Sequence, residues 1–252
     1  MSGHNKWANI KQRKSAQDAK RSNIFSKLSR EIILAARKGG GNPETNAALR
    51  AVIEKARSYN MPKDNIERSI KRGTGEIEGA AFEELSYEGY GPGGVAIVVD
   101  VTTDNKNRTL SEIRKIFSRL GGNLGESGCV GWMFEKKGYI ALDASKYSED
   151  QILELALDLG ADDVKVEDDV IEVYTSVENY LKVLDGLKAK GIEIKNSEIA
   201  RFPQNTIKVD REKALTLLKL IDELENHDDV QAVASNAEID DSVYEEFANS
   251  QQ

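Results

Sequence analysis

The chain has 252 residues and an apolar fraction of 39%, which is enough for two or three small domains with packed cores. Its formal net charge of −8 hides a strong asymmetry. Residues 1–75 contain 17 Lys and Arg against 6 Asp and Glu, a net charge of +11, whereas residues 76–252 carry −19. Such a split indicates a polyanion-binding segment joined to an acidic body.

The sequence lacks the features of membrane, secreted and disulfide-rich proteins. The longest uninterrupted apolar runs, residues 32–36 and 95–99, hold five residues each, whereas a membrane-spanning helix needs about 20. The single cysteine, Cys129, cannot form an internal disulfide, and no apolar segment typical of a signal peptide lies near residue 1. We therefore expect a cytoplasmic protein without a membrane partner.

The first 80 residues are predicted to form a basic helical domain. Residues 1–22 carry many charges and a weak apolar line, so they are expected to order only against a partner. Apolar side chains then recur at helical spacing in three segments, which begin at Ile24, at the Asn42-Pro43 pair and after Pro62. Three helices with short links predict a small bundle, and the linker that follows is placed at residues 73–80.

Beyond residue 80 the pattern changes to short strands and helices. Residues 135–203 follow the order βαββαβ, which is the ferredoxin-like unit. Predicted strands at 95–103 and 129–134 flank one helix, and strands at 206–209 and 231–235 flank another. Each group alone would leave a sheet face uncovered, so we predict that they join into a second ferredoxin-like βαββαβ domain.

The predicted fold class is therefore α+β and multidomain. It has an N-terminal three-helix domain (1–80), a discontinuous α/β domain (81–134 plus 204–240) and an inserted ferredoxin-like domain (135–203). Three sequential units remain the alternative. The acidic end of the chain, from residue 237 onward, is expected to fray.

The basic segment is the predicted nucleic-acid site, because phosphate neutralisation needs many cations and few acids on one face. If residues 9–21 are helical, three of the cations lie on one stripe and two on the next. A merely solvated helix surface is the alternative, and Trp7 could either stack on a base or anchor the first helix. The predicted site comprises Lys6, Lys11, Arg13, Lys14, Lys20, Arg21, Lys27, Arg30, Arg37, Lys38, Arg68, Lys71 and Arg72.

No motif for catalysis, a metal or a cofactor is predicted. The glycine run at 89–94 precedes a strand and lacks the Walker lysine, so a tight turn is favoured over a phosphate loop. The acid groups at 162–163 and 167–169 lack the spacing of a calcium loop. One cysteine and two histidines are too few for a structural zinc site, and no small-molecule substrate is indicated.

Five segments of the sequence are long and specific. They are GHNKWANIKQRKSAQDAKR at 3–21, MPKDNIERSIKRGTGE at 61–76, YEGYGPGGVAIVV at 87–99, TDNKNRT at 103–109 and GGNLGESGCVGWMFEKKG at 121–138. In these segments the chain resembles the YebC family. It departs mildly at Asn5 and Gln12, where the family has Ser and His, and at Cys129, which replaces a usual Ser.

The resemblance implies a helical N-terminal domain followed by two related α/β domains. It also implies a cytoplasmic regulator of gene expression without enzymatic activity. Many bacterial relatives are described as transcriptional regulators that bind promoter DNA, whereas mitochondrial relatives act as translational activators and some bacterial ones are linked to the ribosome. We therefore predict a DNA-binding transcriptional regulator, and the alternative is a ribosome-associated translation factor that binds RNA.

Overall fold

The computed structural model describes residues 18–167 and 169–250, with side chains from residue 22 onward. The described chain is mixed α/β and its sheets are built mainly from antiparallel strands, which confirms this level of the predicted fold class. Contacts divide it into two compact units. One comprises the described residues up to Phe134 and from Pro203 onward, and the other is Glu135–Phe202.

The elements are numbered in chain order within the described residues. The helices are α1 Asp18–Gly39, α2 Ala47–Ser58, α3 Lys63–Gly73, α4 Lys106–Arg119, α5 Glu149–Leu159, α6 Tyr180–Ala189, α7 Arg211–Asn226 and α8 Asp241–Ser250. The strands are β1 Glu83–Tyr90, β2 Ala96–Thr103, β3 Asn123–Leu124, β4 Phe134–Asp143, β5 Asp163–Glu167, β6 Val170–Thr175, β7 Asn196–Pro203, β8 Ile207–Lys208, β9 Val230–Ser235 and β10 Ala237–Glu238.

Helices α1 to α3 pack around their own apolar cluster, in which Ile32, Leu49 and Ile66 are buried. The backbones of α1 and α3 approach closely at Gly73, where an added Cβ would lie 2.5 Å from the carbonyl oxygen of Ile33. Helix α2 begins later than predicted. Its N-cap is Asn46, whose side chain accepts a hydrogen bond of 3.1 Å from the Leu49 N–H and so satisfies an open helix donor.

The larger unit contains a four-stranded sheet in the order β3-β1-β2-β9. Strands β1 and β2 form an antiparallel hairpin, and the glycine run between them is a short turn over Pro92–Gly94, as predicted. Gly93 and Gly94 have φ angles of 82° and 77°, a conformation that side chains other than glycine rarely adopt. Helices α4 and α7 pack on this sheet through buried residues that include Phe117 and Leu217.

Two parts of the predicted discontinuous domain are wrong. Residues 129–134 are not a strand: a turn at Gly131–Met133 leads into β4, because the Glu88 carboxylate occupies N–H groups that a ladder would need. Strand β8 pairs in parallel with β10 in a separate two-stranded sheet, so it does not extend the main one. The main sheet instead gains β1 and β3, so its strand order differs from a second βαββαβ unit.

The acidic segment from residue 237 to residue 250 is ordered, contrary to expectation. Helix α8 places Val243, Tyr244 and Phe247 in the core of the larger unit, and Phe247 is 1% exposed. Its Glu246 carboxylate accepts a hydrogen bond of 2.9 Å from Arg211 Nε at the start of α7. The apolar positions one turn apart outweigh the acidic composition of this segment.

The second unit has the element order β4-α5-β5-β6-α6-β7, and its sheet order is β5-β6-β4-β7. Helices α5 and α6 cover one face of the sheet, with Ile152 and Leu187 among the buried contacts. The other face carries Tyr139, Tyr174 and Phe202, with the Tyr174 and Phe202 ring centroids 5.2 Å apart. In the described part of the chain, no helix combines the length and the apolar composition that crossing a bilayer requires.

Candidate nucleic-acid interface

The predicted cations fall into groups with different surroundings. Lys6, Lys11, Arg13 and Lys14 lie outside the described residues, and so do two of the three members of the predicted stripe Lys11, Lys14 and Arg21. Lys20 and Arg21 lie in α1. The structure describes the side chains of the remaining seven, which are Lys27, Arg30, Arg37, Lys38, Arg68, Lys71 and Arg72.

Three cations form an exposed face on α3, which we call the α3 basic face: Arg68, Lys71 and Arg72. Their offsets of three and four residues bring them to one side of the helix. The opposite side is anchored, because Ile66 and Ser69 are buried. Within the described residues, none of the three cations forms a salt bridge or a side-chain hydrogen bond, so all three can reach a polyanion.

Three side chains of α1 instead contact the carboxyl end of α7 and the residues that follow it. Asn23 Nδ2 donates to the carbonyl oxygen of Asn226 at 2.9 Å, and Lys27 Nζ donates to that of Glu225 at 2.5 Å. Carbonyl groups at a helix end lack partners within the helix, and cations are favoured there. Lys27 therefore caps α7 in this structure.

Arg30 makes the most extensive of these contacts. Its guanidinium donates to the carbonyl oxygen of Asp228, and its Nη1 lies 3.2 Å from Oδ1 of Asp229. The guanidinium carbon also lies 5.6 Å above the Phe82 ring, within the range of a cation–π contact. We call this contact between α1 and the residues after α7 the Arg30–Asp229 latch.

Asp229 is buried, with 2% of its surface exposed, and its carboxylate has several partners. Its Oδ2 accepts hydrogen bonds from Arg108 Nη2 at 2.8 Å, from Thr109 Oγ1 at 2.7 Å and from Thr103 Oγ1 at 3.2 Å. Burial raises the pKa of this carboxyl. The hydrogen bonds from Arg108 and Thr109 and the charges of Arg30 and Arg108 lower the pKa, and together they outweigh the effect of burial. The net result is a pKa below the ordinary value, so Asp229 is ionised at neutral pH.

Glu112, His227 and Asp229 offer donor atoms close enough together for a metal ion. The donors are already engaged. His227 Nδ1 accepts from the Asp229 N–H at 3.1 Å, which assigns the ring proton to Nε2, and Nε2 lies 2.9 Å from the Glu112 carboxylate. Because two guanidiniums also bind Asp229, the group functions as an ion-pair network.

Two further cations at the end of α1 contact the start of the α/β domain. Arg37 Nη1 donates to the carbonyl oxygen of Phe82 at 3.3 Å, and Lys38 Nζ pairs with the Glu84 carboxylate. Arg37 and Lys38 are nevertheless exposed side chains. Four of the predicted site residues thus help to join the helical domain to the α/β domain in the same unit.

Sequence reasoning missed the latch because its partners are far apart in the chain. Arg30 and Asp228 are separated by 198 residues. One signal was available: Asn23, Lys27 and Arg30 recur at offsets of four and seven on one stripe of α1. Cations on such a stripe are favoured at the carboxyl end of a helix, and the acidic sequence His227-Asp228-Asp229 follows α7 directly.

A second arrangement of side chains orders the glycine-rich loop before β4. The buried Glu88 carboxylate accepts hydrogen bonds from the N–H groups of Gly128 at 2.9 Å, Val130 at 2.8 Å and Gly131 at 2.5 Å. Cys129 lies half-buried in this loop, and burial together with nearby Glu88 raises the pKa of its thiol. A thiol that resists ionisation is a poor nucleophile.

The second unit also buries one carboxylate without an evident reactive partner. Glu172 is 1% exposed, and its two oxygens accept hydrogen bonds from Tyr139 at 3.0 Å and Tyr174 at 2.7 Å. Burial and the Glu172 charge raise the pKa of both phenols, so both remain protonated donors. This cluster satisfies a buried charge on the sheet face that the helices leave open.

Comparison with known families decides the identity of the chain. Residues 5–76 match the family model described as the TACO1/YebC protein N-terminal domain. Residues 82–237 match the model described as the TACO1/YebC second and third domain. The chain belongs to the TACO1/YebC family. The boundary between the two matches lies between α3 and β1, in the segment where the charge of the sequence also changes sign.

Members of the TACO1/YebC family from several bacteria align along almost the whole chain. A probable transcriptional regulatory protein of Dictyoglomus turgidum is 57% identical over 249 residues, covering 98% of this chain and 100% of that protein. A protein of the same description from Fervidobacterium nodosum is 58% identical, covering 97% of each chain. The similarity therefore includes both the basic helical domain and the acidic body.

A solved structure has the same fold as this TACO1/YebC chain. The crystal structure of a conserved hypothetical protein from Aquifex aeolicus superposes with a TM-score of 0.81 at 50% sequence identity. The superposition covers 89% of this chain and 93% of the other.

Proposed function

We propose that this chain is a non-enzymatic, DNA-binding regulator of transcription that contacts nucleic acid through its basic N-terminal helices. The observation that carries the proposal is the α3 basic face, Arg68, Lys71 and Arg72, exposed in a segment, residues 1–75, of net charge +11. Phosphate contacts from such a face provide affinity that does not depend on base sequence. The relatives' description as probable transcriptional regulatory proteins supports the same function.

The thirteen predicted cations contribute unequally to this proposal. Arg68, Lys71 and Arg72 are open to a ligand as they stand, whereas Lys27 and Arg30 would have to leave their partners at α7. We therefore assign the main phosphate contacts to the α3 basic face together with the cations of the first 21 residues, which are Lys6, Lys11, Arg13, Lys14, Lys20 and Arg21. Arg37 and Lys38 lie at the exposed end of α1 and would extend the same surface.

The absence of enzymatic activity is part of the proposal. The Cys129 thiol has a raised pKa, and both ring nitrogens of His227 are engaged in hydrogen bonds. The buried carboxylate of Glu172 is saturated by two tyrosines. The contacts of Cys129, His227 and Glu172 therefore indicate structural functions for these side chains. This fits a cytoplasmic regulator, which needs no catalytic group.

We also propose a finer description of the fold. The element order and the sheet order of Glu135–Phe202 support a ferredoxin-like domain inserted into a discontinuous α/β domain. In this arrangement the acidic inserted domain interrupts the sequence of the larger unit, and the helical domain makes the nucleic-acid contacts.

One observation favours the alternative, a translation factor that binds RNA on the ribosome. The stripe of α1 that carries Asn23, Lys27 and Arg30 faces α7, so this part of α1 is not free to enter a DNA major groove as a recognition helix. Phosphate contacts from the α3 basic face recognise shape and charge, which suits structured RNA.

Binding of the full chain to duplex DNA and pelleting with ribosomes at low salt separate these functions. The test variant reverses the α3 basic face (Arg68→Glu, Lys71→Glu, Arg72→Glu). Its control reverses three exposed body cations (Arg114→Glu, Lys115→Glu, Lys219→Glu), which changes the net charge by the same amount. We expect the test variant, and not the control, to bind duplex DNA more weakly than the parent. If the parent chain pellets with ribosomes but does not bind duplex DNA, the translation factor is favoured. The absence of both activities would refute nucleic-acid binding.

A further inference from the structure

The glycine-rich loop at residues 121–133 presents the most exposed large apolar side chain in the described part of the chain. Trp132 is 71% exposed, and Tyr90, at the end of β1, is 42% exposed. Both side chains donate to the carbonyl oxygen of Cys129, Trp132 Nε1 at 3.3 Å and Tyr90 Oη at 3.4 Å. Both exposed side chains therefore contact the same backbone carbonyl at the surface.

Buried side chains hold the loop that carries Trp132 in place. Glu88 is only 8% exposed, yet its carboxylate binds three N–H groups of the loop. Val130 is buried in an apolar cluster with Val98 and Phe134, which anchors the residue two positions before the tryptophan. Because a buried charge is costly unless it is hydrogen-bonded, Glu88 stabilises this one loop conformation. Trp132 is therefore exposed on a rigid support.

The surroundings of Trp132 distinguish between two kinds of occupant. A protein interface needs a contiguous apolar patch, whereas the loop around Trp132 consists mainly of glycine and small polar residues. A nucleobase needs only a flat ring, because every base has a face that can stack. The loop itself carries one acid, Glu126, and charges of the acidic body more than about 10 Å away are largely screened at about 0.1 M salt.

We infer that Tyr90 and Trp132 form a stacking surface for an unpaired base of single-stranded nucleic acid. The inference rests on the proposed function and deepens it. The α3 basic face supplies contacts to phosphates, and the aromatic pair adds a contact that a base can make only when it is outside a duplex. The chain would then prefer nucleic acids with single-stranded segments over fully paired ones.

Intrinsic fluorescence gives a direct test, because Trp7 and Trp132 are the only tryptophans. In the full chain with Trp7→Phe, the tryptophan emission comes from Trp132 alone. We expect oligouridine RNA and single-stranded DNA to quench it, and a blunt duplex DNA to bind without quenching it. In the same background, measured by the fluorescence anisotropy of a labelled single strand, Trp132→Ala should lower affinity about tenfold and Trp132→Phe should retain most of it. Leu157→Ala, another exposed apolar side chain, is the control and should change nothing.

The outcomes separate this inference from the proposed function. Single strands that bind without quenching Trp132, with equal affinity for the Trp132→Ala variant, would overturn the stacking surface and leave the basic face intact. No binding of any oligonucleotide would overturn the proposed function itself. Because Trp132 is largely exposed, Trp132→Ala should unfold at the same temperature as its parent, which shows that a loss of affinity is not a loss of fold.

Discussion

Arg30 Nη1 lies 3.2 Å from Oδ1 of Asp229, and this ion pair joins the first described helix to a residue near the end of the α/β domain. The Arg30 side chain is 19% exposed and that of Asp229 is 3% exposed, so water screens the pair only partly. The same carboxylate binds Arg108 and two threonine hydroxyls. Asp229 thus fixes both the helical domain and the start of α4.

Asp229→Asn is expected to lower the free energy of unfolding by about 1.5–3 kcal/mol, the range for losing hydrogen bonds to a buried charged group. Urea unfolding of the full chain measures the change. Asp228→Asn is the matched control, because Arg30 contacts its backbone carbonyl and its side chain is exposed. The control should stay within about 0.5 kcal/mol of the parent. Equal effects of the two substitutions would show that the latch contributes no more than general charge.

The contribution of Asp229 should depend on pH in the acid range only. Its folded pKa lies below the ordinary value of 3.8, so its stabilisation is fully present above that pH and is lost as the pH falls through the folded pKa. The difference in unfolding free energy between the parent and Asp229→Asn should therefore be constant from pH 8 to about pH 5 and shrink below about pH 4. A difference that grows on acidification would contradict the assigned charge state.

Glu88 should control the mobility of the loop that carries Trp132. In Glu88→Ala the N–H groups of Gly128, Val130 and Gly131 lose their acceptor, so their amide hydrogen exchange should accelerate at least tenfold, about 1.4 kcal/mol of local stability. Glu83→Ala, an exposed acid on the same strand, is the control. Unchanged exchange at these three amides would mean that the loop is held by other contacts.

Phe247 tests the order of the acidic end of the chain. Its ring is buried with Val243 and Tyr244 in the core of the larger unit, so Phe247→Ala should destabilise that unit by about 3–5 kcal/mol. Glu245→Ala, on the exposed side of α8, should have little effect. Thermal unfolding compares the two, and identical midpoints would indicate that α8 does not contribute to the core.

Much of the fold follows from local patterns in the sequence. The helix predicted over 211–226 and the glycine turn before Val95 are present, because apolar spacing and turn residues act over a few positions. Strand β1 was missed, since its glutamates and glycine obscure the alternation of Leu85 and Tyr87. The loop at 129–133 resembles a strand in composition, but the N–H groups of Val130 and Gly131 donate to the distant Glu88 carboxylate and not to a neighbouring strand.

The candidate site was predictable as a charge distribution but not residue by residue. Composition identifies the basic domain, and helical spacing places Arg68, Lys71 and Arg72 on one face. Neither composition nor helical spacing separates these exposed cations from Lys27 and Arg30, which have equal charge and similar helical positions. Their difference arises from tertiary contacts with α7 and Asp229, across nearly the whole length of the chain.

Binding of phosphates by the α3 basic face of the helical domain is tested most directly by the salt dependence of the affinity. For duplex DNA, the logarithm of the association constant should fall linearly with the logarithm of salt concentration, by about 0.9 for each phosphate neutralised. The triple reversal at Arg68, Lys71 and Arg72 should weaken binding and make this slope shallower, whereas the reversal at Arg114, Lys115 and Lys219 should preserve the slope. Equal slopes for the parent and both variants would contradict phosphate binding by this face.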